Sequence, residues 1–151
     1  MSTVIHPPRS EDTGRMVLIV EDERFARHAL AHLLAQSGYT TAACGSAEEA
    51  LEDLDGGRVP EVALVDVDLP GMSGLDLVPF LEKRYPGLLT VLMTAVEGDR
   101  ITFFRRDHDV QYLRKPVDFS RLLTILDSLA GTMPALSQVE QAKCDQGRTM
   151  S

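Results

Sequence analysis

The sequence is short of basic charge, of cysteine and of long apolar runs, and each shortage removes a class of function. Lys and Arg total 15 against 23 Asp and Glu, a net charge of −8. A surface that tracks nucleic-acid phosphates needs a basic footprint, so direct nucleic-acid binding is not expected. Uninterrupted apolar runs such as Met16 to Val20 are about five residues long, far below the roughly 20 that cross a bilayer, and no membrane span is expected. The opening segment, MSTVIHPPRSEDTGR, has prolines and mixed charge where a secretory signal would have an apolar core, which points to the cytoplasm. Cys44 and Cys144 are the only cysteines and form no Cys-x-x-Cys pair, so reduced thiols are expected. Cys44 reads as a small core residue at a strand end.

At 151 residues the chain has the size of one domain. Residues 1–15 and 132–151 are polar and aperiodic and read as tails around a domain at 16–131. Within it, short apolar runs alternate with stretches of helical period. Met16 to Val20 is the first strand. Phe25, Ala26, Ala29, Leu30, Leu33 and Leu34 then recur at helical spacing up to a Gly38 stop. Tyr39 to Cys44 is the second strand, and Ser46 with Glu49 has capping-box spacing ahead of a helix that ends at Gly56-Gly57.

Val62 to Val65 is the third strand. A helix opening at Ser73 or Gly74 carries Leu77, Phe80 and Leu81 to Pro86-Gly87, with Pro79 inside it as an expected disturbance. Leu88 to Met93 is the fourth strand, 97–109 holds a short, weakly patterned helix, and Val110 to Arg114 is the fifth strand. Asp118 caps a last helix that runs up to Gly131. Five β-α units with strands buried on both faces predict a doubly wound α/β fold, a five-stranded parallel sheet with helices on both faces.

In such sheets ligands bind beyond the carboxyl ends of the strands. Glu21 and Asp22 follow the first strand, Asp66 and Asp68 the third, Thr94 the fourth, and Lys115-Pro116 the fifth. Carboxylates gathered at one edge repel unless a cation holds them, and an all-oxygen set suits Mg²⁺. A lysine and a hydroxyl at the same rim suit the remaining oxygens of a phosphoryl group, and a carboxylate can itself take that group as an aspartyl phosphate.

The segments VLIVEDE (17–23), LVDVDLPGMSGLDL (64–77), VLMTA (91–95) and YLRKP (112–116) together resemble the response-regulator receiver domain of two-component signalling. The resemblance covers 16–131 and implies the flavodoxin-like strand order 2-1-3-4-5. It implies that Asp66 is the phosphoacceptor and that Asp22 ligates Mg²⁺ directly. Glu21 would act largely through water, and the backbone carbonyl of Asp68 would supply a further ligand. It also implies that Thr94 and Lys115 contact the phosphoryl group, that Lys115-Pro116 is cis, and that Tyr112 is the aromatic switch partner of Thr94. Ala95 would leave room for the donor.

The implied function is that of a phosphoprotein, charged in a Mg²⁺-dependent step by a sensor histidine kinase or phosphotransfer protein. It would be no enzyme beyond catalysing its own phosphorylation and dephosphorylation. Output would pass to a downstream protein partner through the face of helix four, strand five and helix five, since the tail after Gly131 is too short for an effector domain. A phosphorylation-linked homodimer is the further partnership the resemblance allows.

Three departures stand out. Glu21 replaces the more frequent Asp, Asp68 adds charge at the pocket mouth, and Arg105-Arg106-Asp107-His108-Asp109 replaces a small-residue turn. The last motivates a rival reading as a non-switching adaptor. A haloacid-dehalogenase-like phosphatase also uses Asp-x-Asp with Thr, Lys and Mg²⁺, but places the motif after its first strand, whereas two β-α units precede Asp66 here. His28 and His32 read as a solvated helix face, and Phe103-Phe104 as packing residues.

Overall fold

The structure is a computed structural model that describes residues 16–95 and 98–132. Strand and helix alternate through β1 (Met16–Val20), α1 (Arg24–Gln36), β2 (Thr40–Cys44), α2 (Ala47–Asp55), β3 (Val62–Asp66), α3 (Gly74–Arg84), β4 (Leu89–Thr94), α4 (Asp99–Asp107), β5 (Val110–Arg114) and α5 (Phe119–Thr132). The strands form one parallel sheet in the order β2-β1-β3-β4-β5, as expected. Two compact units divide the chain, one closing at Pro116 and the other opening at Val117, where α5 follows. Residues 1–15, 96–97 and 133–151, with Cys144, lie outside the described residues.

The burial of each strand follows its place in the sheet. Central β3 is buried at every position, whereas edge strand β5 buries only Val110 and Leu113. Alternate strand positions supply two apolar layers. Leu18, Val20, Ala63, Val65 and Leu92 join Ala50 and Leu54 of α2 and Leu77 and Leu81 of α3 in one cluster. Val17, Ile19, Leu64, Val91 and Met93, with Leu30 and Leu34 of α1, are buried outside it. Each such Leu contributes about 1.5–3 kcal/mol by leaving water.

Helix ends obey local chemistry. The Ser46 hydroxyl accepts from the Glu49 N–H at 3.0 Å, and the Glu49 carboxylate reaches back to the Gly45 N–H at 2.7 Å. Asp118 Oδ1 accepts from the Ser120 and Arg121 amides at 3.0 and 3.3 Å, capping α5 as expected. Gly38, past the end of α1, takes a φ of 98° that a side chain would resist. The last helix runs on to Thr132, past the expected stop at Gly131. Pro79 does not break α3, which runs from Gly74 to Arg84 with Pro79 on its exposed face.

Two apolar residues depart from the periodic reading, and a third from its reading as a packing residue. Phe25 is 79% exposed, because only Leu30 and Leu34 of the α1 stripe are turned fully into the core. Phe80 is exposed beside Pro79 while Leu77, Val78 and Leu81 take the inner face of α3. Phe103 is exposed too, with the Arg106 guanidinium 4.8 Å above its ring, and only Phe104 packs against the core. Cys44 is buried at the end of β2 as expected, and burial followed by the charges of Asp53 and Glu49 pushes its thiol up to about 12.

Candidate functional site

The loops after β1, β3 and β5 converge at the carboxyl edge of the sheet. Glu21 follows β1 directly, and its N–H donates to the Cys44 carbonyl at 3.0 Å, which extends the β1–β2 ladder into the site. Asp66 is the last residue of β3, opposite Met93 of β4, and Lys115 follows β5, its N–H donating to the Thr94 carbonyl at 2.7 Å. Strand register therefore fixes where these side chains start.

Glu21, Asp22 and Asp66 each bring a carboxylate oxygen within 4.8 Å of the others. Glu21 and Asp66 are buried and Asp22 is exposed. Lys115 Nζ lies 2.8 Å from Asp66 Oδ2 and 3.0 Å from Glu21 Oε1. Burial raises the Glu21 carboxyl above its usual range, and the Asp66 charge adds to this. The Glu23 N–H, 3.0 Å from Glu21 Oε2, and then Lys115 pull the other way. Burial likewise disfavours the Lys115 ammonium, but its hydrogen bonds to Asp66 and Glu21 prevail and hold it above the usual lysine value.

One ammonium against three carboxylates leaves the cluster short of positive charge. Glu21 Oε1 is buried and, although 3.0 Å from the ammonium, receives no well-directed hydrogen bond. An all-oxygen donor set with one open, buried acceptor fits a small hard cation such as Mg²⁺. Asp68 is placed differently from the other acids. Its side chain is exposed, and its backbone N–H donates to Asp66 Oδ1 at 2.9 Å, so both Asp66 oxygens are held.

Thr94 is buried at the end of β4 and, with Val67 and Asp68, lines a cavity of about 290 Å³ that Gly98, Asp99, Arg100 and Ile101 close from the start of α4. Ala95 beside it is exposed. Tyr112 is half-buried on β5, paired with Leu92, and the Arg105 guanidinium stands 5.3 Å over its ring. The Lys115-Pro116 peptide is cis, as expected. The unusual 105–109 segment does not abolish the fourth helix. His108 ends it, stacked on Phe104 at 4.1 Å, and its Nδ1 lies 2.8 Å from Glu82 Oε1 of α3.

Three residues that sequence reasoning left aside shape the site. Arg27 Nη1 donates to the Glu21 carbonyl at 2.9 Å and to the Asp22 carbonyl at 3.4 Å. Glu48 of α2 accepts the Met72 N–H at 3.2 Å, pinning the loop after Asp66. Gly74 opens α3 so close to β3 that a Cβ there would collide with the Asp66 carbonyl. The bare Gly-Leu-Asp-Leu string marked a helix start but carried no sign of this approach, and a charged residue within a helix is ordinarily solvated.

Comparison with known proteins returns one family. Residues 17–127 match the response regulator receiver domain model. The response regulator protein FleR of Pseudomonas aeruginosa is 38% identical over 111 residues, which cover 73% of this chain and 23% of that protein. The two-component response regulator PhoP of the same organism is 35% identical over 119 residues, 75% of this chain and 50% of that protein. The chain thus spans between about a quarter and about half of these relatives. Among solved structures, the response regulator TrrA of Thermotoga maritima in complex with Mg²⁺-BeF aligns with a TM-score of 0.67 at 27% identity, over 76% of this chain and 98% of that one. A CheY-like receiver domain protein from Methanospirillum hungatei aligns at 0.71 and 25% identity, over 77% and 93%.

Proposed function

The chain belongs to the response-regulator receiver domain family, and on that premise we propose that Asp66 accepts a phosphoryl group from a histidine kinase or phosphotransfer protein. The observation that carries this reading is the meeting of Glu21, Asp22 and Asp66 within 4.8 Å, with Lys115 Nζ 2.8 Å from Asp66. Glu21, Asp22 and Asp66, with the Asp68 carbonyl, are the residues that would hold Mg²⁺. Bound there, Mg²⁺ supplies charge neutralisation for the phosphoryl oxygens. That the neighbour TrrA is described with Mg²⁺-BeF supports this assignment.

In the step itself an Asp66 oxygen bonds to phosphorus as the P–N bond of a phosphohistidine breaks, and the leaving imidazole takes a proton. Lys115 then exchanges one Asp66 oxygen for a phosphoryl oxygen, and Thr94 donates its hydroxyl to another. Tyr112 follows Thr94, shifting a pre-existing equilibrium of the α4–β5 surface toward a downstream protein partner. Turnover is limited to the protein's own aspartyl phosphate, so the chain acts as a switch and not as a phosphatase of free esters. The described residues include no helix long and apolar enough to cross a membrane.

The test is intact-mass analysis after incubation with acetyl phosphate and Mg²⁺. Wild type should gain one phosphoryl group, and neither Asp66→Asn nor wild type in excess chelator should do so. An unmodified wild type ends the proposal, and equal modification of Asp66→Asn ends the assignment of Asp66.

A further inference from the structure

We propose that Arg27 is a positioning residue for the metal-binding acids, an inference that rests on the Mg²⁺ assignment above. Arg27 belongs to α1, one turn beyond the Glu23 cap, and its side chain turns back under the β1–α1 turn. One guanidinium nitrogen, Nη1, donates to the carbonyls of both Glu21 and Asp22, the two consecutive residues that bring carboxylates to the cluster. A Cβ added to Gly45, the residue just past β2, would lie only 3.2 Å from that nitrogen, so the start of the β2–α2 turn runs close beside it.

Other polar groups of the turn are committed too. The Glu21 N–H is held by the Cys44 carbonyl and the Glu23 N–H by Glu21 Oε2, while the Glu23 carboxylate accepts from Phe25 and Ala26 at the start of α1. Arg27 supplies the bond to the two carbonyls that these contacts leave over. A turn held at the Glu21 and Glu23 amides and at the Glu21 and Asp22 carbonyls presents Glu21 and Asp22 in one geometry before the ion arrives, and Mg²⁺ tolerates little deviation from an octahedron.

Charge and geometry predict opposite signs, which makes the role testable. A cation beside a metal site repels the metal, so an Arg27 acting only through charge would weaken Mg²⁺ binding, and Arg27→Gln would tighten it. An Arg27 that orients the ligands has the reverse effect, because loss of groups that support metal ligands typically weakens affinity about 10–100-fold.

The experiment is Mg²⁺ titration of the full chain at fixed ionic strength, by calorimetry or by amide chemical shifts, for wild type, Arg27→Gln and Arg27→Lys. Metal-free melting of each protein is the control. Arg27→Gln should bind Mg²⁺ about tenfold or more weakly while remaining folded. Arg27→Lys, which keeps the charge but ends one bond short of the carbonyls, should also bind more weakly than wild type, and it stands in should the glutamine variant not fold. Mg²⁺ affinity in a folded variant equal to or above that of wild type overturns the positioning role. A wild type that binds no Mg²⁺ overturns the site assignment itself, a distinct outcome.

Discussion

Lys115 Nζ stands 2.8 Å from Asp66 Oδ2, across the sheet edge from β5 to β3. The same ammonium ion-pairs with Glu21 at 3.0 Å, so one lysine answers two buried carboxylates, one just past β1 and one at the end of β3. Removing it strands both. Lys115→Met should destabilise the metal-free chain at neutral pH by about 1–3 kcal/mol, the usual cost of leaving a buried polar group unsatisfied. Mg²⁺ should restore much of the loss by taking over the carboxylates. Urea unfolding with and without Mg²⁺ measures both quantities. An unchanged midpoint in metal-free protein would mean the lysine contributes no stability.

Glu21 sets a pH dependence that begins at the ordinary carboxyl value. Burial raises its folded value above the ordinary 4.5. Below 4.5 the carboxyl is neutral in folded and unfolded chains alike, and no penalty applies. As pH rises through the raised folded value the unfolded chain ionises more readily, so stability falls. Lys115, raised above 10.5, contributes stability below that value that is lost only as pH rises through its folded value. Denaturant midpoints should therefore decline across the Glu21 titration without Mg²⁺. Glu21→Gln or added Mg²⁺ should flatten the decline, and an equal slope in Glu21→Gln would assign it to another group.

Gly74 separates packing from chemistry. Its missing Cβ leaves room for the Asp66 carbonyl, whereas Gly87 has open space around it. Gly74→Ala should cost about 1–3 kcal/mol or more by overpacking, and Gly87→Ala much less. The difference is read directly from paired urea curves. Gly74→Ala should also slow phosphorylation by shifting Asp66 relative to Lys115.

Arg105 and Tyr112 offer a probe of the proposed switch. The guanidinium 5.3 Å over the ring is worth about 0.5–1 kcal/mol at an exposed site. Arg105→Ala should therefore shift the Tyr112 equilibrium toward its activated position by about two- to fivefold. Ring NMR signals of Tyr112 with subsaturating beryllofluoride give the populations, and identical populations in both proteins would remove Arg105 from the switch.

Much of the fold was legible because its signals are local. Met16–Val20 and Val62–Asp66 are apolar runs of strand length, Ser46 and Asp118 are caps with their partners in reach, and the site acids stand at strand ends that the parallel fold brings to one edge. What escaped depends on tertiary distance. Periodicity placed Phe25 and Phe80 on apolar stripes, and Phe103 read as a packing residue of a weakly patterned helix, but which side of a helix meets the sheet is decided by packing. Arg27 looks like any helix-surface cation until the β1–α1 turn folds beneath it. The Asp68 N–H bond to Asp66 likewise involves a backbone donor that no side-chain pattern reports.

The central claim is tested most directly by locating the phosphoryl group. Borohydride reduction of the Mg²⁺- and acetyl-phosphate-treated chain converts an aspartyl phosphate to homoserine, and peptide mass spectrometry then finds the converted position. The expected result is homoserine at position 66 alone, dependent on Mg²⁺ and absent from Asp66→Asn. Homoserine at another acid, or none in a chain that had gained phosphate, would contradict it.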